Sequence, residues 1–288
     1  MSLDEQSDFS LVIKEPDDHW VADILDLYGY NVEKSPQVES SNFKIVTPKM
    51  VRDIIRNKEL LVPSSCHSLK DRNDYIILLL RYVLQDGAFT ELTGVPLVPV
   101  NCISYSAFGT QQYYLALSSD LQFFPTVGCF VLITVELPDD LKSIFDSTEF
   151  QSINKVKKLD FNGFCNLFRH ELPRAPIIDW DPGTTTSFLN KRWIKNFWER
   201  ISKFNDYDLK LLGNYPLIPI ITTTHNYELI SVKNDLPILR IPRRKDDVID
   251  ILRKLGIFFT EEPRTDITKK FIWDWSPSMV IKAIDKSV

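Results

Sequence analysis

The chain has 288 residues, 44% apolar and 12% aromatic, enough to bury one large core or two ordinary ones and to exclude a globally disordered protein. With 34 basic against 39 acidic residues the formal charge is -5, so a phosphate backbone is repelled on average and nucleic acid is not an expected partner. Four scattered cysteines make no disulfide framework, no apolar run approaches the ~20 residues that span a bilayer, and Met1-Ser2-Leu3-Asp4 opens no export signal; a cytoplasmic protein away from membranes is expected.

In chain order, residues 1–16 read as a flexible lead. A first helix starts at Asp17-Asp18 with Trp20, Val21, Ile24, Leu25 and Tyr28 on one face, and Phe43 to Val46 reads as a strand. Thr47-Pro48 is an N-cap followed by proline at the first helical position, ahead of the stripe Met50, Val51, Ile54 and Ile55. From Asp74 to Gln85 the helical pattern is apolar nearly all round, which predicts a central helix. Gly94-Val95-Pro96-Leu97-Val98-Pro99-Val100 loses two backbone donors to proline, so an edge strand or a polyproline-like crossing is expected. Asn101 to Phe108 and Gln111 to Leu117 read as a hairpin turning at Gly109-Thr110, Phe130 to Glu136 as a strand, and Asp139 opens a short helix. Past the charged Asn154 to Lys158 boundary, Asp160 to Glu171 is a helix with Phe161, Phe164, Cys165 and Phe168 on one side, and a further helix follows Thr184-Thr185-Thr186-Ser187 as far as about Phe204.

The segment Gly213-Asn214-Tyr215-Pro216-Leu217-Ile218-Pro219 then repeats the earlier proline pattern. Gly94 and Gly213 stand 119 residues apart, Pro96 and Pro216 stand 120 apart, and the 119 separation also matches Leu78 with Phe197, Leu79 with Trp198, Tyr82 with Ile201 and Leu92 with Leu211. This spacing predicts a duplicated supersecondary unit. The expected organisation is a lead over 1–16 and two related units over 17–153 and 154–288. Each is α+β, a helix plus a proline-rich strand, with mixed or antiparallel sheets packed by helices.

In Leu92 to Pro99, Asp179-Trp180-Asp181-Pro182-Gly183, Trp193 to Trp198 and Leu212 to Pro219, in that order, the chain resembles the sacsin-like repeat proteins. These large proteins join an ATPase module of the heat-shock-chaperone type to long α+β segments. The resemblance covers roughly residues 45 to 256 and implies a scaffold or chaperone-associated role in protein quality control, with other proteins or other repeats of a larger assembly as partners. The family's ATPase needs an Asn-bearing helix for magnesium and an Asp-x-Gly-x-Gly loop for adenine. Asp181-Pro182-Gly183-Thr184-Thr185 fails at the second glycine, so ATP hydrolysis is not implied.

Candidate chemistry is sparse. Gly183 to Ser187 would present donors to an anion but has no Walker lysine, and a helix cap explains it. Cys165 and His170 are five residues apart, just beyond the facing i,i+4 spacing; Cys66-His67 are adjacent and point apart; His19 and His225 suit a capping region and a turn. The pairs Asp139-Asp140 and Asp246-Asp247 open helices, where the macrodipole accounts for them, and Arg240 to Lys245 is a short basic entry to a helix. No catalytic, cofactor-binding or metal-ligating set emerges. Trp273 and Trp275, alternating in a terminal strand, are candidates for partner binding, with packing on the second unit as the favoured alternative. The expected function is a non-catalytic scaffold or interaction module; the alternative is a nucleotide-dependent or hydrolytic enzyme whose site is assembled from distant residues.

Overall fold

The structure is a computed structural model that describes residues 10–13, 18–34, 43–57, 60, 62, 66, 68–100, 104–133, 135–172, 174–184, 186–205, 207–222, 226–231, 237–241, 246–260 and 266–287. The chain forms two compact units, one of residues 1–118 with 129–158, the other of 119–128 with 159–288. The mixed sheets packed by helices make an α+β fold.

The first unit opens with β1 (Ser10–Ile13), α1 (Trp20–Leu27), β2 (Val32–Lys34) and β3 (Phe43–Ile45); the strands form a parallel sheet in the order β2-β1-β3. Residues 10–13, read from sequence as part of a lead, are therefore the middle strand of a sheet, and Val12 and Ile13 are buried. Helix α2 (Pro48–Asn57) begins as expected, with the Met50 N–H donating to Thr47 Oγ1 at 3.4 Å. Helix α3 (Leu69–Leu84) starts five residues earlier than the apolar pattern suggested. Its start is fixed by a capping box, in which Ser68 accepts from the Asp71 N–H and Asp71 from the Ser68 N–H. The helix is central on one side only: Leu79 and Leu80 are buried, whereas Leu78 is 43% exposed.

After a 3-10 turn over Phe89–Leu92 come β4 (Val98–Val100), β5 (Ser104–Ser106), β6 (Tyr113–Leu115), a helical turn α4 (Gly128–Val131), β7 (Leu132–Ile133), α5 (Asp139–Phe145), α6 (Thr148–Asn154) and β8 (Val156–Lys158). The five strands are ordered β5-β4-β7-β6-β8. Two expectations are corrected here, the hairpin and the strand from Phe130. Among the described residues β5 pairs only with β4, so the hairpin is β4 with β5 and the turn at Gly109-Thr110 leads on to a different part of the sheet. The predicted strand Phe130 to Glu136 is cut to Leu132–Ile133, because Gly128 to Val131 is helical. The charged patch Asn154 to Lys158 ends a helix and supplies the edge strand β8, after Lys155 turns the chain in the left-handed region at φ 53.

The second unit contains α7 (Phe161–Phe168), β9 (Ile177–Trp180), α8 (Lys191–Ile201), a 3-10 turn over Leu209–Leu212, β10 (Pro216–Ile221), β11 (Tyr227–Ser231), β12 (Ile238–Arg240), α9 (Asp246–Lys254), β13 (Phe258–Thr260), β14 (Ile272–Asp274) and α10 (Pro277–Ser287). Its strand order is β14-β12-β13-β10-β11-β9. Apart from the added β9, this is the order of the five-stranded sheet read in reverse, with the same directions. β10 is antiparallel to β11 and β13 as β4 is to β5 and β7, and β12 is parallel to β13 and β14 as β6 is to β7 and β8.

The proline strands are inner strands in both sheets, against the expectation of an edge. Among the described residues β4 meets β7 at Val100 with Ile133, and β10 meets β13 at Ile221 with Phe259, in each case past the second proline. The spacing is corrected too. Tyr75, Ile76, Leu79, Leu80 and Val83 are buried on α3, and their equals Trp193, Ile194, Phe197, Trp198 and Ile201 are buried on α8 at a separation of 118 residues. From the 3-10 turns onward the separation is 120, pairing buried Leu92 with buried Leu212, whereas Leu211 is 46% exposed.

Helix α8 starts at an Asn190 cap, not at the threonines, since Asn190 Oδ1 accepts from the Trp193 N–H at 2.8 Å. Around it lies an aromatic core. Trp193 stacks on Phe197 at 5.5 Å and on Phe168 at 5.8 Å, and Phe123 meets Trp193, Phe197 and Phe164 edge-on. Residues 119–128 are held in this unit by polar contacts as well: Trp193 Nε1 donates to Gln122 O, Arg200 to the buried Asp120, and the Thr126 and Val127 N–H groups to Glu171. Phe197→Ala is expected to cost about 3–5 kcal/mol, read as a lower midpoint in urea, because no neighbouring ring can fill the space.

Among the described residues of the first unit the one deeply buried charge is Arg52 on α2, which donates to Val83 O at 2.6 Å, to both oxygens of Asp86 at 2.8 Å and to Glu91 at 2.8 Å. Hydrogen bonding to Arg52 holds the Asp86 carboxyl below the usual carboxylate range. A depressed folded-state value stabilises at neutral pH and is lost as pH falls through it. Asp86→Asn should therefore cost about 1–3 kcal/mol at pH 7 and flatten the acid limb of the stability profile in urea titrations between pH 7 and 3.

Candidate functional site

The best-formed concavity in the second unit is a cavity of about 360 Å³ between α8, β10 and the turn leading into β14. Helix α8 supplies Ile194 and Trp198 from its inward stripe, β10 supplies Ile218 and Pro219, and the turn supplies Ile267 and Phe271. The Trp198 ring leans on Phe271 at 5.7 Å and its Nε1 donates to Leu217 O at 3.2 Å, so the indole is fixed and its donor is occupied. The polar rim is also engaged: Ser202 Oγ donates to Glu199 O at 2.7 Å, Lys195 lies 3.7 Å from Glu199, and Lys269 lies 3.1 Å from Asp266. What remains is an apolar recess suited to hydrophobic contact.

In the first unit a shallower hollow of about 440 Å³ is lined by Trp20, Leu78, Arg81, Tyr82, Asp140 and Leu141, among others. Arg81 closes one side of it by a two-pronged bond to Asp140 at 2.7 and 2.9 Å, which holds the Asp140 carboxyl below its ordinary value. Burial pushes the Tyr82 hydroxyl up to about 12, so it stays protonated and donates towards Val46 O.

The residues singled out in sequence do not converge. Cys165 is buried on α7, and burial, with Asp208 and Asp160 nearby, pushes its thiol up to about 12, which leaves no thiolate for nucleophilic chemistry. His170 is exposed beyond the helix end, with Nε2 3.4 Å from Arg169 Nε. Cys66 is a half-buried free thiol; His67, Thr185 and His225 lie outside the described residues, and His19 precedes α1 without a side-chain cap. The Gly183 loop is stabilised from within by the Gly183 N–H donating to Asp181 Oδ1 at 2.9 Å, and it stands several residues before any helix N-terminus. Of the basic run, Arg240 ends β12 at 3.8 Å from Asp274, and residues 242–245 lie outside the described residues. Among the described residues no three His, Cys, Asp or Glu side chains gather as metal ligands.

Trp273 and Trp275 are half-buried against the core cluster of Leu239, Ile249 and Phe259. Trp273 lies in β14 under Lys286 at 5.6 Å, and Trp275 follows the strand with its ring 6.1 Å from Phe259. The cavity beside Trp198 was not foreseen. Its signal was present in the buried stripe of α8, but the turn at 266–272 that closes it has no periodic pattern.

No helix among the described residues is long and apolar enough to cross a membrane. No protein-family model matches the sequence, and no solved structure matches it. Among curated proteins the chain is similar to sacsin of Homo sapiens, 24% identical over a 286-residue alignment that takes in 89% of this chain and 6% of sacsin. The chain thus spans about 6% of the length of the relative it matches, and its sequence is sacsin-like over most of its own length.

Proposed function

We propose that the chain is a non-catalytic interaction module, two copies of one α+β unit of the sacsin-like kind, serving as a chaperone-associated scaffold. The observation that carries this reading is the shared strand order of the two sheets, each with a helix buried at equivalent positions over an inner proline strand. The distinctive residues of the sequence, the Pro-Leu-x-Pro segments and the Trp and Phe of α8, are committed to these interiors. Among the described residues the buried charges are matched, Arg52 with Asp86 and Glu91 and Arg200 with Asp120, an arrangement that fixes structure. Partner contact is assigned to the apolar recess beside Trp198 and to the outer faces of Trp273 and Trp275.

Two measurements test the reading. If the units are copies, Leu97→Ala and Leu217→Ala, both at fully buried positions 120 residues apart, should each lower stability by about 2–5 kcal/mol, with lost amide protection centred on α3 and α8 respectively. Calorimetry with magnesium and ATP should give no binding heat. Micromolar affinity that is lost on Asp181→Ala or Thr184→Ala would overturn the non-catalytic reading.

A further inference from the structure

The two ends of the described chain carry the same piece of structure. At the start it is β1, α1, β2, β3 and α2; at the end it is β12, α9, β13, β14 and α10. Both sets of three strands are parallel, with the first strand in the middle and the last at the edge. The helices between the strands end alike. Asp23-Ile24-Leu25 is followed by Gly29 at φ 80, and Asp250-Ile251-Leu252 by Gly256 at φ 78. The Tyr30 N–H bonds Leu25 O at 3.0 Å and the Ile257 N–H bonds Leu252 O at 3.2 Å.

The second helices start alike as well. Thr47-Pro48-Lys49-Met50-Val51 and Ser276-Pro277-Ser278-Met279-Val280 share a hydroxyl cap, a proline and Met-Val. Met50 N–H donates to Thr47 Oγ1 and Met279 N–H to Ser276 Oγ; Val51 N–H donates to Thr47 O and Val280 N–H to Ser276 O. α10 is thus the counterpart of α2, the helix on which the rest of the first unit is laid.

The difference lies in what covers them. Ile24, Tyr28 and Arg52 are 1%, 7% and 1% exposed, and their counterparts Ile251, Leu255 and Ile281 are 63%, 43% and 60% exposed. At the first end the cover is α3, whose Tyr82 meets Trp20 of α1 edge-on at 6.0 Å and whose Val83 carbonyl receives Arg52 of α2. Replacement of Arg52 by an isoleucine in the counterpart means that the missing cover presents an apolar surface there, not acids such as Asp86 and Glu91.

We infer that the face formed by Ile251, Leu255 and Ile281 is a docking site for a further unit of this same build, seated through the apolar stripe of an α3-like helix, and that α10 is that unit's opening helix. The inference rests on the proposed kinship of the two units.

Hydrogen exchange on the full chain, and on the full chain extended after Val288 by a second copy of residues 60–158, tests it. In the unextended chain the amides of α9 and α10 should exchange at least about tenfold faster than those of α1 and α2, and the extension should remove that difference. The double substitution Ile251→Lys with Ile281→Lys should leave the melting of the unextended chain unchanged and abolish the gain in the extended one. Equal protection of both ends in the unextended chain overturns the inference, and so does unchanged exchange after extension. Self-association in sedimentation velocity that Ile281→Lys abolishes would give the face to a second copy and overturn it too. Like behaviour of Leu97→Ala and Leu217→Ala alongside a failed extension would leave the kinship of the units standing while the docking site falls.

Discussion

A strand that carries proline, one in β4 and two in β10, occupies the interior of each main sheet, and much of the fold is arranged around that constraint. β4 pairs along its length with β5, and β10 pairs with β11 around an irregularity between Pro216 and Ile218; among the described residues each meets the strand on its other side at one pair. A proline nitrogen brings no donor to the ladder, and both strands are held by burial as well, every residue of each lying in the interior. α3 and α8 bury matching inward residues, and those of α8 include Trp193 and Phe197, among the largest fully buried side chains of the described residues.

The sequence exposed the strongest periodicities and caps. α1, α2, α5 and α7 lie where their apolar stripes place them, and Thr47-Pro48 marks a helix start as read. The failures share a cause. Strands of two or three residues, such as Leu132–Ile133 and Ser104–Ser106, are too short to show alternation, so their boundaries and partners are decided by long-range pairing. The edge assignment of the proline strand used a sound local rule, and it was overtaken by long-range pairing that gives β4 and β10 a neighbour on both sides. The Ser68-x-x-Asp71 box at the start of α3 precedes the apolar run, so the run alone marks the helix start too late.

The same contrast holds for the candidate site. Trp273 and Trp275 stand out as exposed-looking aromatics in a terminal strand, yet each has one side against the core. The recess beside Trp198 draws on three separated stretches of chain, of which only α8 has a period to read. Buried charge was equally hidden: Arg52 sits on the apolar side of α2 and is tolerated there because Val83 O, Asp86 and Glu91 meet its two Nη groups.

Residues 119–128 carry Asp120, Phe123 and Phe124 into the second unit, although they are flanked in the chain by strands of the first. During synthesis they leave the ribosome some seventy residues before Trp193, the partner of Phe123 and of Gln122 O. At ordinary elongation rates that is a wait of about 4 to 14 seconds. Helix α7 emerges sooner and brings Phe164 and Phe168 to the two rings, so the aromatic core closes in two steps, first onto α7 and then under α8.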